Sequence, residues 1–259
     1  MLAYAETGSG PALVLLHAFP LDRTLWRDVV GHIAASGWRV ITPDLPGFGA
    51  SEESVGSLED SASAVATLMN NLGENAAVIG GCSMGGYVAL AFAAQYPDRT
   101  AGLILTDTKA SADGDEARAN RERIALQVLD SGSTAALAST MPDSMLSPST
   151  LASRPEVREW LKATILQQRP TSVAAAQRAM AERPERFEAL RALRVPVLSL
   201  RGADDLTATA EDHRRMADAA GDALDVVVPG AGHLLPIEQP AAFAEQVVGF
   251  LRRLRTPSC

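Results

Sequence analysis

The sequence predicts an α/β fold. Three observations carry that expectation: short apolar runs recur along the chain, longer amphipathic stretches separate them, and one long interval lacks such runs altogether. The runs are ALVLL at 12–16, WRVIT at 38–42, AAVIG at 76–80, AGLIL at 101–105, VPVLSL at 195–200 and LDVVV at 224–228. Continuous apolar runs, rather than alternation, mark strands of a parallel sheet buried on both faces. Between them, Leu58 to Leu72 places Val65, Leu68, Met69 and Leu72 on one helical face, with Ser57 as N-cap. Pro240 to Leu254 opens with a proline in its first turn and spaces Phe243, Val247, Phe250 and Leu251 as a helix does. Strand and helix in alternation imply βαβ units, hence a mostly parallel sheet flanked by helices.

The interval from Lys109 to Leu193 has no strand-like run and is rich in Ala, Arg and Glu. Ser153 followed by Glu156 reads as a capping box opening a helix with Val157, Trp160, Leu161 and Ile165 on one stripe. An all-helical insertion inside an α/β chain predicts a cap (residues 109–193) over a core made of residues 1–108 and 194–259, with a cleft where the two meet. The alternative is that these helices pack on the flank of the sheet. Met141, Met145, Leu146, Trp160 and Leu234 are the candidate lining of an apolar pocket; otherwise they form the cap's own core.

Of 259 residues, 47% are hydrophobic and 21% charged, ordinary for a folded domain. Thirty-one acidic against 23 basic residues give a net charge of −8, and the basic residues are scattered. Nucleic acid and anionic membranes are therefore not expected partners. The opening MLAYAETGSG has neither a basic nor an apolar signal region, and the early apolar run at 12–16 is too short to span a bilayer. With only Cys82 and Cys259 present, no structural disulfide is expected, and a reducing cytoplasm is the predicted location. Nothing in the pattern specifies an oligomeric state, a metal site or a cofactor motif.

The chemistry concentrates at Gly80-Gly81-Cys82-Ser83-Met84-Gly85-Gly86, between the run AAVIG and the helix-like YVALAFAAQY. It contains G-x-S-x-G in the strand, turn and helix context the motif requires. A serine at the tip of so tight a turn sits in strained backbone, so its neighbours two residues away must be small. The turn lifts the hydroxyl out of the sheet and aims backbone N–H groups toward developing negative charge. Centred on Cys82, the same elbow would need a small residue at Met84, so Ser83 is the nucleophile and Cys82 packs beneath it.

A base should follow a late strand. Of His17, His32, His213 and His233, only His233 does, in the loop Pro229-Gly230-Ala231-Gly232-His233. His32 and His213 fall in helical patterns and are expected at the surface. The third member is a carboxylate that orients the imidazole and stabilises its charged form. Arg201-Gly202-Ala203-Asp204-Asp205 offers two, Asp204 and Asp205. Asp44-Leu45-Pro46-Gly47-Phe48-Gly49 reads as turn chemistry at the site's edge.

The order serine, aspartate, histidine is that of the α/β-hydrolases and not of chymotrypsin or subtilisin. Over nearly its full length the chain resembles that superfamily, nearest the 3-oxoadipate enol-lactonases, small carboxylesterases and cofactor-free haloperoxidases. LLHAFPLDRTLW, PDLPGFGAS, GGCSMGG and GAGHLLPIEQP carry the likeness. The resemblance implies that the acid is Asp205, with Asp204 the alternative, and that Asp107, where some relatives carry their acid, is structural. It implies an oxyanion hole from the backbone N–H groups of Phe19 and Met84, with His17-Ala18 in place of the usual His-Gly pair. The implied activity is hydrolysis of a carboxylic ester or lactone of a small to medium, partly apolar substrate through an acyl-enzyme on Ser83, without cofactor or metal. Two alternatives stand beside it: peracid formation by a haloperoxidase-like enzyme, and ligand binding without catalysis.

Overall fold

The computed structural model describes residues 1–52 and 56–255, so the expectation for Cys259 lies outside the described residues. The strands are β1 (Tyr4–Thr7), β2 (Ala12–Leu16), β3 (Arg39–Pro43), β4 (Ala77–Cys82), β5 (Thr100–Thr106), β6 (Val197–Gly202) and β7 (Ala223–Val228). They form one sheet in the order β1-β3-β2-β4-β5-β6-β7, in which β1 pairs antiparallel with β3 and every other pairing is parallel. Each of the six apolar runs became a strand. β1, YAET, was missed because all four of its residues are exposed and offer no apolar run. LDVVV was expected to be buried on both faces, but β7 pairs only with β6, so as an edge strand it leaves Val227 49% exposed.

The first helices are α1 (Val30–Ala34), α2 (Leu58–Asn71) and α3 (Met84–Gln95). Ser57 caps α2 reciprocally with Asp60, each side chain accepting the other's backbone N–H. α3 is apolar all round because it is buried all round, packed against α2, β4 and β5.

Between β5 and β6 lie α4 (Asp115–Ser131), α5 (Ala135–Met145), α6 (Pro148–Ser153), α7 (Pro155–Gln167), α8 (Pro170–Glu182) and α9 (Phe187–Ala192). α4 pairs with α8, α7 packs on α5 and α6, and α9 instead packs on α3 and on α10 (Ala210–Ala219), at the flank of the sheet. The buried stripe Val157, Leu161, Ile165 forms as the spacing predicts, with Trp160 half-buried beside it. The capping box does not form. Pro155 takes the first helical position and bars Arg154 from helical backbone, so Ser153 ends α6, where its hydroxyl donates to Ser149 O at 2.8 Å.

The chain closes with α11 (Leu235–Glu238) and α12 (Pro240–Arg255), the latter burying Phe243, Val247, Phe250 and Leu251. Among the described residues no helix is long and apolar enough to cross a membrane.

Candidate active site

Ser83 stands between β4 and α3 with φ 53° and ψ −115°, a left-handed conformation for a residue with a side chain. Such a conformation costs about 1–3 kcal/mol and persists only where its surroundings enforce it. Here they do: Ser83 N donates to Thr106 O at 2.9 Å, and the Thr108 hydroxyl donates to Ser83 O at 2.8 Å. The glycines are a matter of space. A Cβ on Gly85 would stand 2.0 Å from the Leu16 carbonyl oxygen, and one on Gly81 would stand 2.1 Å from that of Gly85.

Ser83 Oγ donates to His233 Nε2 at 2.8 Å, and His233 Nδ1 donates to Asp205 Oδ2 at 2.9 Å. Asp205 Oδ1 in turn accepts from the backbone of Thr207 and Ala208 at 2.7 and 3.1 Å. The structure thus joins Ser83, His233 and Asp205 in one hydrogen-bonded chain. Asp204 is exposed and meets the site only through its backbone, which donates to Ala231 O. Burial disfavours charge on both Asp205 and His233, but each supplies the other with a hydrogen bond and an opposite charge. That exchange outweighs burial: the Asp205 carboxyl is held below its usual range and the His233 imidazole is pushed above 6.5.

The loop carrying His233 is clamped from two sides. Gly232 and Leu234 donate their N–H groups to one oxygen of the buried Glu238, at 2.8 and 3.2 Å. Its other oxygen accepts from Ser147 N at 2.7 Å, and His233 N itself donates to Met145 O at 2.7 Å. Beneath the loop, Asp107 accepts from Gly202 N and from Leu235 N, both at 2.9 Å. It is fully buried in left-handed backbone at φ 46°, and burial together with the nearby Asp205 charge raises its pKa to about 7. Its place is to tie the ends of β5 and β6 to the histidine loop. Cys82 is fully buried under His233, and burial pushes its thiol well above the usual range, far from a reactive thiolate.

The N–H groups of Phe19 and Met84 have no acceptor among the described residues. His17, which precedes Ala18 and Phe19, is buried, and burial holds its pKa below 6.5. Its Nε2 accepts from Leu45 N at 2.9 Å and its Nδ1 lies 3.0 Å from Ala18 O, so the neutral ring pins the early loop to the next one. That next loop turns on Asp44, whose carboxylate accepts from the backbone of Arg23 and Ala50 and pairs with the Arg23 guanidinium. His213 is a correction: expected at the surface, it is buried, bonds Ser199 Oγ through Nδ1 at 2.7 Å and is held to a pKa of about 4 by burial.

Ser83 and His233 open into a cavity of about 470 Å³ that Phe19 and Tyr87 also line. Leu137, Met141 and Met145 of α5, Ile124 of α4 and Met180 of α8 give it an apolar wall. Of the candidate pocket residues, Met141 and Met145 line this cavity, whereas Leu146, Trp160 and Leu234 do not. Leu146 ends α5 in extended backbone and turns into the core, Leu234 is fully buried under the histidine loop, and Trp160 lies 4.2 Å beneath the Arg27 guanidinium. Arg121, Arg123 and Gln177 line the cavity too, and the sequence pattern had not singled them out.

A family model for the alpha/beta hydrolase fold matches residues 11–240, and the chain belongs to that family. A thermophilic esterase from Thermogutta terrifontis, solved with malate bound, superposes with a TM-score of 0.95 at 43% identity, covering 98% of this chain and 94% of that one. The 3-oxoadipate enol-lactonase 2 of Acinetobacter baylyi is 28% identical over 257 residues, 97% of this chain and 93% of that protein. A 2-hydroxy-6-oxononadienedioate/2-hydroxy-6-oxononatrienedioate hydrolase of Burkholderia vietnamiensis is 42% identical over 109 residues, which span only 39% of this chain and 38% of that protein.

Proposed function

We propose that this chain is a serine hydrolase that cleaves a carboxylic ester or lactone of a small to medium, partly apolar substrate through an acyl-enzyme on Ser83. The single observation that carries the reading is the chain Ser83 Oγ, His233 Nε2, His233 Nδ1, Asp205 Oδ2, with links of 2.8 and 2.9 Å. Neutral His233 takes the Ser83 proton as Oγ attacks the carbonyl carbon, and Asp205 stabilises the imidazolium that forms. The carbonyl oxygen becomes an oxyanion facing the Phe19 and Met84 N–H groups, each worth about 3 kcal/mol in comparable sites. Collapse breaks the ester bond, His233 returns the proton to the leaving oxygen, and water, deprotonated by His233, repeats the sequence to release the acid. Each step uses only groups of the chain and water.

In this reading α4, α5 and α8 act as the cap of residues 109–193, closing over the nucleophile and setting substrate shape. The esterase and enol-lactonase relatives support an ester or lactone as substrate. The test is direct. A fluorophosphonate probe is expected to label the wild type, which also hydrolyses short p-nitrophenyl esters; Ser83→Ala loses both while its circular dichroism is unchanged. Undiminished turnover by Ser83→Ala would overturn the assignment.

A further inference from the structure

The part of the cavity wall that α4 supplies carries charge of one sign. Arg121 and Arg123 line it, and among the described residues no Asp or Glu does, in a chain whose net charge is −8. Both arginines come from α4, where Arg121 and Ile124 lie one turn apart on the face turned to the cavity.

The two are held differently. Arg121 pairs through Nε with Asp113, a carboxylate buried to 4% exposure, while Arg183 pairs with the other oxygen of the same group at 2.6 Å. Two guanidiniums therefore share one carboxylate, and a net positive charge is left beside the cavity. Arg183 is turned inward, lying 4.1 Å from the Tyr87 ring and bonded to Met180 O, so the half-buried Arg121 is the member that faces the open space. Its Nη1 reaches Gln177 Oε1 at 3.0 Å, which fixes the plane of the guanidinium, and its Nη2 has no acceptor among the described residues. Arg123 is exposed and among the described residues donates only to Asn120 Oδ1, at 2.7 Å. The neighbouring acid on α4, Glu122, is already paired with Arg178 of α8. A partly desolvated guanidinium that shares its carboxylate with a second one gains from an anion brought by a ligand.

We infer that this wall is a carboxylate subsite: the enzyme takes esters or lactones whose far end bears a carboxylate, with the apolar α5 side chains spanning the carbon chain between that end and Ser83. This rests on the acyl-enzyme reading above for the identity of the scissile bond, and on the arginines alone for the carboxylate.

The experiment compares the p-nitrophenyl monoester of glutaric acid with p-nitrophenyl 5-methylhexanoate, which has the same shape without the charge. The wild type is expected to favour the acidic ester by about 10-fold to 100-fold in kcat/KM, the range of one or two charge-assisted hydrogen bonds. Salt at about 0.5 M should reduce that ratio. Arg123→Gln should cut it several-fold, and Arg121→Gln combined with Arg123→Gln should bring it to about one. Arg253→Gln, on α12 far from the cavity, is the control and should leave the ratio as it is. The single Arg123 variant guards against misfolding, since that exposed side chain bonds only Asn120. A wild-type ratio of one or below, or a ratio unmoved in the double variant, overturns the subsite while leaving the esterase intact. If neither ester is hydrolysed, the acyl-enzyme reading fails, and the subsite is then read by calorimetry with glutarate against neutral glutaramide. Glutarate binding lost in the double variant upholds the subsite, and equal or absent binding of the two overturns it.

Discussion

The carboxyl edge of the sheet and the helical insertion contribute to the same cavity by opposite means. At the sheet edge, position is set by backbone: Gly81 and Gly85 lie where no Cβ fits, Ser83 is held in left-handed geometry, and Asp107 and Glu238 tie loops together through main-chain N–H groups. In the insertion, position is set by side chains on helix faces, and the wall is a mixture of methionines, leucine and arginine. Unbranched, polarisable methionine adapts to irregular space, whereas a strained elbow does not. In the proposed function, chemistry sits on the part that cannot yield, and selection on the part that can.

On the mechanism proposed above, the comparison breaks first at Asp205. Asp205→Asn should lower kcat/KM about 10⁴-fold, since the imidazole loses the partner that fixes its tautomer. Asp204→Asn, one residue away but exposed, should change it less than about twofold; the reverse order would move the acid. A pH–rate profile sharpens the point. Only neutral His233 accepts the serine proton, so wild-type kcat/KM should fall as the pH drops through the His233 pKa, with a midpoint above 6.5. In Asp205→Asn that midpoint should move down, because the charge that raised it is gone.

A smaller effect tests the rigidity of the sheet side without touching the reaction. His213 titrates near 6.5 when unfolded and at about 4 when folded, so the unfolded chain takes up the proton first. Stability is then lost as pH falls from 6.5 toward 4, by about 3 kcal/mol. Urea denaturation at several pH values should show the slope, and His213→Gln should flatten it whatever its effect at neutral pH. The smallest change is expected in the insertion: Met141→Ala should shift the preferred acyl chain length upward by about 10-fold in relative kcat/KM, read from a series of p-nitrophenyl esters.

The same contrast governs what the sequence made legible. Backbone constraints leave glycines at fixed offsets, so the elbow and the histidine loop could be read from spacing, whereas the choice of Asp205 over Asp204 needed the family resemblance. Helix faces leave weaker marks. Leu146, Trp160 and Leu234 are as apolar as Met141 and Met145, and hydrophobicity does not say which of them borders a cavity. Glu238 looks like an ordinary acid on a short helix, because what distinguishes it is Ser147, a partner far away in sequence, and Arg121 and Arg123 look like any solvated helix face, because what distinguishes them is the cavity they border. His213 misled for the same reason: its buried partner is a polar residue of β6, Ser199. β1 left no trace because an exposed edge strand needs no apolar residue.

Met145 belongs to both regions at once: its side chain lines the cavity, and its carbonyl oxygen accepts from His233 N at 2.7 Å. On the mechanism proposed above, a guest too wide for the cavity bears on the end of α5 and, through that one hydrogen bond, on His233 as base. Misfit would then be felt as lost proton transfer as much as lost affinity, and a tightly held molecule of the wrong girth would act as an inhibitor instead of a slow substrate.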